Sequence, residues 1–378
     1  MPVYIRGFGL TEVGEHWNKN LEDLAVEACL KAIERANIDP KEIDKIYIAN
    51  ALSQYLNRKG HLGALIADAI GLAGKPAIHV EAASASGGVA VHEAFTDIKG
   101  GIKRNVLVCG VEKMSDILPA YIYTARALME DWQHLTAIGA SFEAIEGMLL
   151  RLYLDRYNAP HENIMNAAVI SHKNALNADH AQFKRPLTIE NIKKSPYVAD
   201  PLHLFEVTTT GDGAAAIVLS GESGDVEITA SSIATDKFRF FERDDLLWLE
   251  SVYLAAQDAY RQAKVSHADI NFLELHDVST IMSVLEIEAL GLVEKGQGHV
   301  LFGNMIGTLD SERPINTFGG LKARGDPIGA TGVYQIVEIA MQLSGEAGRN
   351  QLDNVKTGLA LSVGGIGSSS VVHILKKR

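Results

Sequence analysis

The feature that most limits the fold of this chain is an internal repeat. Residues 28–48, ACLKAIERANIDPKEIDKIYI, show an amphipathic helix pattern, a short loop and then a β-rich stretch. Residues 255–275, AAQDAYRQAKVSHADINFLEL, follow the same plan at a constant offset of 227 residues (255 − 28 = 227). In both segments apolar residues recur at helical spacing and then at strand spacing, as in a helix-to-strand unit. The repeat predicts two similar α/β halves.

A weaker similarity extends this repeat. The segments SGGVAVHEA (86–94) and FGGLKARGDPIGATG (318–332) each place two glycines before a helix pattern. The strand pattern NVLVCGVE (105–112) then corresponds to TGLALSVG (357–364). Chance similarity between ordinary α/β units is the alternative explanation.

A segment without this plan separates the repeated units. Residues 117–205 are rich in helix formers and tyrosines, and the spacing of their aromatic, leucine and methionine residues suits packed helices. We predict a helical insertion here, which could also form one wall of a ligand site. The domain prediction is a first half at residues 1–220, including the insertion, and a second half at residues 221–378.

Composition excludes several classes of protein. The chain of 378 residues has a net charge of −12, which argues against a nucleic-acid binder. Its two cysteines, Cys29 and Cys109, cannot build a disulfide scaffold or a four-cysteine zinc site, and no other metal-ligand spacing is present. No apolar run reaches the ~18 residues that a membrane span needs, and the start lacks a signal-peptide pattern. We predict a soluble, cytoplasmic protein without a metal site or a membrane span.

Ser84 is a candidate nucleophile. The stretch HVEAASASGG (79–88) predicts a strand, a turn of small residues and then a helix. Such a turn places a side chain at a helix N-terminus, where free N–H groups favour negative charge and would activate a nucleophile. The alternative is that Ser84, Ser86 and the glycines only cap the helix and allow close packing.

Two segments of the second half offer further candidates. LELHDVST (273–280) places His276 beside Asp277 at a strand end, where a histidine can donate to a carbonyl or move a proton. His276 could equally be a structural hydrogen bonder. In FGGLKARGDPIGATG (318–332), a loop rich in glycine before a helix, Asp326 could act as a base or cap the helix.

Two other features carry weaker signals. SVGGIGSSS (362–370) follows an apolar strand, and Gly364 and Gly365 would permit close backbone approach to a ligand. The pattern is not the GxGxxG that opens a dinucleotide-binding unit. Lys322 and Arg324 could contact the phosphates of a ligand, but such side chains are more often solvated, and we interpret them as solvated surface residues.

Taken together, these segments resemble the thiolase superfamily, and within it the lipid-transfer-protein (sterol-carrier) thiolases and their archaeal relatives. The resemblance extends over nearly the whole chain. It is carried by GFGLTEVG, EAASASGGVAVHEA, NALNADHAQFKRPLTIENI, ADPLHLFEVTTTGDGAAAIVL, ELHDVST, GGLKARGDPIGATG and SVGGIGSSSVVHIL.

The resemblance implies an α/β thiolase fold of two similar βαβαβαββ halves in a five-layered αβαβα arrangement, with a helical loop-domain insertion. It also implies a homodimer or dimer of dimers that binds acyl-coenzyme A, with coenzyme A thioester as substrate or ligand and no other cofactor. Four glycines become candidate substrate-binding residues under this resemblance. They are Gly319, Gly320, Gly364 and Gly365.

The chain departs from the family at the reactive positions. Thiolases have a nucleophilic cysteine where this chain has Ser84, and their Gly-His-Pro motif reads Gly-Asp-Pro here, with Asp326 in the middle. The second cysteine of the Cys-x-Gly motif falls at Ser362, and the cysteine of the His-Asp-Cys-Phe motif falls at Val278. Only the oxyanion-site histidine, His276, is retained. The candidate catalytic residues are Ser84, His276, Asp326 and Ser362.

These departures argue against ordinary thiolase turnover, because a serine hydroxyl needs an adjacent base more than a cysteine thiol does. A deliberate cysteine-to-serine exchange would explain Ser84 but neither Asp326 nor Val278. One hypothesis is an enzyme that makes or breaks a carbon–carbon bond beside a coenzyme A thioester, in an aldolase-type reaction. There His276 would polarise the thioester carbonyl, and Asp326 or a tyrosine of the insertion would move the proton.

Thiolase-like aldolases of this kind imply a partner subunit with an OB-fold and a zinc ribbon. The alternative hypothesis is a catalytically degenerate subunit that binds acyl-coenzyme A or scaffolds a partner enzyme. The retained glycines and His276 would then maintain the fold and the pocket.

Overall fold

The structure is a computed structural model that describes residues 1–378. The eleven strands are β1 (Tyr4–Leu10), β2 (Lys45–Ala49), β3 (Ala77–Val80), β4 (Asn105–Glu112), β5 (Tyr197–Ala199), β6 (Leu202–His203), β7 (Gly213–Ser220), β8 (Val226–Thr235), β9 (Phe272–Glu274), β10 (Thr357–Gly364) and β11 (Ser369–Lys377). The thirteen helices are α1 (Leu21–Ala36), α2 (Ser53–Leu56), α3 (Leu62–Ala69), α4 (Ser86–Lys99), α5 (Pro119–Ala127), α6 (Phe142–Tyr157), α7 (His161–Ala175), α8 (Ile189–Lys194), α9 (Glu250–Ala263), α10 (Thr280–Ala289), α11 (Gly298–Gly303), α12 (Gly320–Arg324) and α13 (Thr331–Ser344).

Nine strands are hydrogen-bonded in the order β3-β2-β4-β7-β1-β8-β11-β10-β9, and β5 and β6 form a separate pair. The first five and the last four strands of this order meet in a short antiparallel contact. There Tyr4 and Ile5 of β1 pair with Glu227 and Val226 of β8. The large sheet is therefore two sets of strands joined at one short seam.

The two sets repeat one strand pattern. β4 is parallel to β2 and antiparallel to β7, and β10 is parallel to β9 and antiparallel to β11. Helices α1 and α9 end in left-handed residues, Asn37 and Lys264, at the offset found in the sequence. The counterpart of β3 is reduced to one parallel bridge between Leu273 and Ile315. The predicted fold of two similar halves is confirmed.

Helices α4 and α13 lie between the two sets of strands. α4 contacts β2 and β4 on one side and β8 and β11 on the other, and α13 contacts β4, β7 and β10. α1 packs on β1 and β7, and α9 packs on β8 and β11. This is the predicted αβαβα order. The insertion between β4 and β7 contains α5 to α8 with β5 and β6.

Local sequence explains why α1 begins and packs as it does. The Asn20 side chain accepts from the Asp23 amide, and the Asp23 carboxylate accepts from the Asn20 amide, which closes a capping box. Ala28 and Ala32 are fully buried on the apolar face. A Cβ on Gly9 of β1 would overlap the Ala28 carbonyl oxygen at 2.7 Å, so glycine permits the close approach of helix and strand. No helix of the chain is both long enough and apolar enough to cross a membrane.

Candidate functional site

Ser84 lies in the turn that connects β3 to α4. Ala83 has a positive φ of 53°, so the chain bends sharply there. The Ser86 hydroxyl accepts from the Ala82 amide at 2.8 Å and donates to the Ala83 carbonyl at 2.6 Å, which closes the turn. The Ser84 side chain is 8% exposed, and its hydroxyl contacts only the Met129 sulfur, at 3.9 Å. Ser86 is a structural residue, whereas Ser84 has no base beside it.

His276 is fully buried, and neither of its ring nitrogens has a hydrogen-bond partner within the protein. Its backbone amide donates to the Glu286 carboxylate at 3.0 Å. Burial, together with the positive charge of Arg324, lowers the pKa of His276 to about 3. A neutral imidazole has one N–H donor and one acceptor nitrogen, and both remain free for a ligand.

Asp326 is a buried carboxyl with one defined side-chain partner. The Thr331 hydroxyl donates to its Oδ1 at 2.7 Å, and the Asp326 amide donates to the Thr209 carbonyl at 3.2 Å. Burial raises the pKa of Asp326, against the hydrogen bond from Thr331 and the positive charges of Arg126 and Arg324, which lower it. A carboxyl in this environment can exchange a proton nearer neutral pH than an exposed aspartate.

A short extended segment before β7 joins the loops of His276 and Asp326. On one side the Thr208 amide donates to the carbonyl of Val278, two residues after His276, at 2.8 Å. On the other side Thr210 forms a parallel bridge with Asp326. The two loops are therefore neighbours across a single strand-like segment.

The Ser84 turn reaches the same region through Met129, which follows helix α5. Ala83, next to Ser84, and Ile328, two residues after Asp326, pack with Met129 in one small apolar cluster. Because the Met129 sulfur also contacts the Ser84 hydroxyl, the segment after α5 connects the two loops. The loops of Ser84, His276 and Asp326 thus converge, although their residues come from distant parts of the chain.

Ser362 has a different environment. It is fully buried in β10, and its hydroxyl donates to the Gln335 side chain at 2.8 Å. Gly88 of α4 and Gly332 of α13 approach its side chain closely. Ser362 therefore fills the space between the two central helices, and it forms no hydrogen bond with the other three candidates.

The four candidate binding glycines lie on two sides of this region. They are Gly319, Gly320, Gly364 and Gly365. A Cβ on Gly364 would meet the Ala82 carbonyl oxygen at 2.8 Å, so the turn after β10 packs against the turn of Ser84. Gly320 begins α12 with a positive φ of 56°, and a Cβ there would overlap the Asp277 carboxylate.

The interpretation of Lys322 and Arg324 as solvated surface residues is wrong. Lys322 is 7% exposed, and Arg324 is completely buried. The Arg324 guanidinium lies 3.5 Å from the Glu338 carboxylate and 5.0 Å from the Tyr334 ring centroid. Burial lowers the pKa of Lys322 to about 8. The loop composition could not reveal this, because α7, which is distant in sequence, packs on α12, and Arg324 contacts Glu338 and Tyr334 of α13.

Several buried or partly buried charges near the site were missed by the sequence reasoning. Arg126 of α5 forms an ion pair with Glu143 of α6, with 2.8 Å between Nη1 and Oε1. Burial, reinforced by Glu143, raises the pKa of Glu146 to about 8, and burial raises the pKa of Asp277 to about 7. The one available signal was the three-residue spacing of Glu143 and Glu146, which places both on one helix face.

A cavity of about 1130 Å³ opens beside these loops. It is lined by residues 12–17 after β1, by residues 114–119 and by residues 207–212. Arg126 lines it as well. Because the segment 207–212 pairs with the Asp326 backbone, Asp326 lies behind the cavity wall. Ser84, His276 and Asp326 do not themselves line the cavity. No group of three or more histidine, cysteine, aspartate or glutamate residues is arranged to hold a metal ion.

Comparisons with known proteins agree with this architecture. The family described as "Thiolase, N-terminal domain" matches residues 3–223, and "Thiolase C-terminal domain-like" matches residues 232–377. An acetyl-CoA acetyltransferase of Methanothermobacter thermautotrophicus is 35% identical over 99% of both chains. Sterol carrier protein 2 of Homo sapiens is 30% identical over 99% of this chain and 72% of its own length.

Solved structures show the same fold at lower identity. The structure titled "Ltp2-ChsH2(DUF35) aldolase" superimposes with a TM-score of 0.86 at 22% identity, covering 100% of this chain and 98% of that chain. An acetyl-CoA acetyltransferase from Syntrophomonas wolfei gives a TM-score of 0.77 at 19% identity, covering 99% of this chain and 98% of that chain. With a duplicated sheet, two shared central helices and matches to both family domains, this chain belongs to the thiolase superfamily.

Proposed function

We propose that this thiolase-fold protein binds acyl-coenzyme A and makes or breaks a carbon–carbon bond next to the thioester, in an aldolase-type reaction. The observation that carries the proposal is the neutral, fully buried His276, whose two ring nitrogens have no protein partner. A buried donor without a partner is costly unless a ligand uses it. A thioester oxygen that gains negative charge during the reaction is a suitable acceptor.

In the cleavage direction, the substrate would be a β-hydroxyacyl thioester. Asp326 takes the proton of the hydroxyl group, the carbon–carbon bond breaks, and the hydroxyl carbon becomes a carbonyl. The bonding electron pair moves to the thioester, forming an enolate whose oxygen accepts a hydrogen bond from the His276 ring N–H. The enolate carbon then takes this proton back from Asp326, which restores the base, so no acyl-enzyme intermediate is required. This suits a site in which Ser84 contacts a methionine sulfur rather than a base.

Two variants distinguish this route from thiolase chemistry. Purified protein is incubated with β-hydroxyacyl-coenzyme A thioesters, and separately with acetoacetyl-coenzyme A plus coenzyme A, while the products are followed by chromatography. We expect Ser84→Ala to retain aldol cleavage and Asp326→Asn to lose it by at least about 100-fold, the usual scale for a lost acid/base group. Thiolytic turnover that disappears in Ser84→Ala would instead identify Ser84 as a nucleophile.

A degenerate binding subunit is the second candidate function, favoured by the absence of a base beside Ser84 and by the packing role of Ser362. On this alternative the protein binds acyl-coenzyme A, measured by calorimetry, but turns over neither substrate even with a partner subunit present. Binding without turnover would exclude the enzyme hypothesis.

The finer family placement is also part of the proposal. We place the chain in the lipid-transfer branch, archaeal type, with its reactive positions substituted at Ser84, Asp326 and Val278. The aldolase neighbour is named as a complex with a DUF35 component, which supports the prediction of an OB-fold/zinc-ribbon partner subunit. A homodimer or dimer of dimers, a cytoplasmic location and the absence of a further cofactor stay predictions. Size-exclusion chromatography with light scattering tests the oligomer.

A further inference from the structure

We infer that the site prefers a substrate whose acyl chain ends in a carboxylate, and that Arg126 binds this carboxylate. The inference rests on the proposed function, because it concerns the acyl group of the same thioester. Its basis is that Arg126 lines the same cavity as the segment 209–211, which is hydrogen-bonded to the Asp326 backbone.

Arg126 occupies the boundary between two cavities. Arg126 lines the cavity of about 1130 Å³ and also a smaller one of about 200 Å³, and Glu143 lines both with it. The Arg126 side chain is 17% exposed and the Glu143 side chain 14%. The ion pair is therefore largely shielded from solvent, and it lies in the cavity wall that a bound acyl chain would contact.

Only part of the guanidinium is used within the protein. Nη1 donates to Glu143 Oε1 at 2.8 Å, and no other hydrogen bond of the Arg126 side chain is formed. The guanidinium carbon lies 5.4 Å from the Phe142 ring centroid, which limits how the planar group can turn. A guanidinium has five N–H donors in a fixed fork, so a pair of donors remains for the two oxygens of a carboxylate.

The other charges around the large cavity direct an anion to Arg126. Arg126 is its only lining lysine or arginine, and the lining carboxylates are Glu12, Glu15, Asp116, Glu143 and Asp212. Lys113 pairs with both Asp116 and Asp212. Among the lining side chains the Arg126 guanidinium is therefore the position that stabilises the carboxylate of an acyl group most.

Arg126 also lies near the loop of Asp326. The segment 209–211 lines the cavity together with Arg126, and the Thr209 carbonyl in it accepts from the Asp326 amide at 3.2 Å. Ala125, next to Arg126, packs in one apolar cluster with Ile328, two residues after Asp326. Since Arg126 and the loop of the proposed base border the same wall of the cavity, a short dicarboxylic acyl group, such as a four-carbon one, is the substrate to test.

The test compares two thioesters of equal chain length, succinyl-coenzyme A and butyryl-coenzyme A, which differ only in a terminal carboxylate or methyl group. Their dissociation constants are measured by calorimetry with the full chain. We expect succinyl-coenzyme A to bind at least about 10-fold more tightly to the wild type. Arg126→Gln should abolish this preference, so that the two dissociation constants become about equal. Glu143→Gln should increase the preference for succinyl-coenzyme A, because the carboxylate that competes for Arg126 is gone.

Arg151→Gln, an exposed arginine of the same insertion that pairs with Asp200, is the matched control and should leave the ratio unchanged. Arg126→Lys keeps the charge without the fork, so it should keep a smaller preference if Arg126→Gln fails to fold. Equal binding of the two thioesters by the wild type would overturn the inference. An equal loss of affinity for both thioesters in Arg126→Gln would also overturn it, since Arg126 would then bind the coenzyme A phosphates or only support the fold. If neither thioester binds, the proposed function itself fails.

Discussion

At the scale of single residues, burial sets the protonation states around the site. His276 is held neutral, whereas burial raises the pKa of Glu146 to about 8 and the pKa of Asp277 to about 7. Arg126 pairs with Glu143 and forms no hydrogen bond with Glu146. The site therefore contains carboxyls that can gain or lose a proton near neutral pH.

The pH dependence of stability provides a direct test at Glu146. In the unfolded chain this carboxyl ionises near the ordinary glutamate pKa of 4.5, but in the folded protein burial and the charge of Glu143 raise the pKa to about 8. The folded state therefore holds the extra proton between these values, and its contribution to stability is lost as the pH rises towards about 8. We compare the free energies of unfolding of the wild type and of Glu146→Gln. The wild-type value minus the variant value should fall by up to about 1.4 kcal/mol per pH unit between pH 5 and 8.

Urea unfolding at several pH values measures this difference. Glu162→Gln is the control, because Glu162 is half-exposed and its pKa is lowered by Lys193. For Glu162→Gln, the difference in unfolding free energy from the wild type should be small. It should change with pH in the opposite direction and only at acidic pH. A pH-independent difference for Glu146→Gln would contradict the assignment of a neutral buried acid.

At the scale of elements, the decisive contact is the crossing of α4 and α13. Gly87 and Gly88 of α4 meet Gly332 of α13 so closely that a Cβ on Gly332 would overlap the Gly88 backbone. The Ser362 hydroxyl fills the remaining space beside the crossing. Since α4 carries the Ser84 turn at its start, this crossing fixes the position of that turn relative to the second half.

The crossing can be tested with Gly332→Ala. The added methyl group would push the two helices apart, and we expect a loss of about 1–3 kcal/mol in the free energy of unfolding, the range for overpacked cores. Gly60→Ala is the control, because no atom lies within 4 Å of the Cβ it would add. Chemical denaturation measures both. Equal stability of the two variants would show that the helices have room to move.

At the scale of the whole molecule, the two halves share one core. Side chains of α4, α13 and both sets of strands form a single cluster that includes Val91, Ile217, Val333 and Leu375. Separate clusters under α1 and α9 complete the outer layers. Removing the second half would expose the faces of β4 and β7 that α13 covers.

We therefore expect the fragment of residues 1–220 not to fold alone, while the full chain unfolds in one cooperative thermal transition. Circular dichroism and amide exchange measure both properties. Co-expression of residues 1–220 with residues 221–378 is the control. It should restore the protection of backbone amides from exchange if the two halves associate. A cooperative melting transition of the isolated fragment would contradict the shared-core description.

The sequence by itself determined the duplicated α/β fold, the helical insertion and the family, because periodicity, caps and turn residues are local and recur at one offset. It also singled out Ser84, His276 and Asp326, whose loops do converge, although their catalytic roles stay predictions. Only the tertiary structure decided the environment of these residues. Glu146, Lys322 and Arg324 are charged side chains that look like solvated residues in the sequence. They become buried because other elements of the fold pack against them, and this burial, rather than residue type, shifts the pKa values of Glu146 and Lys322.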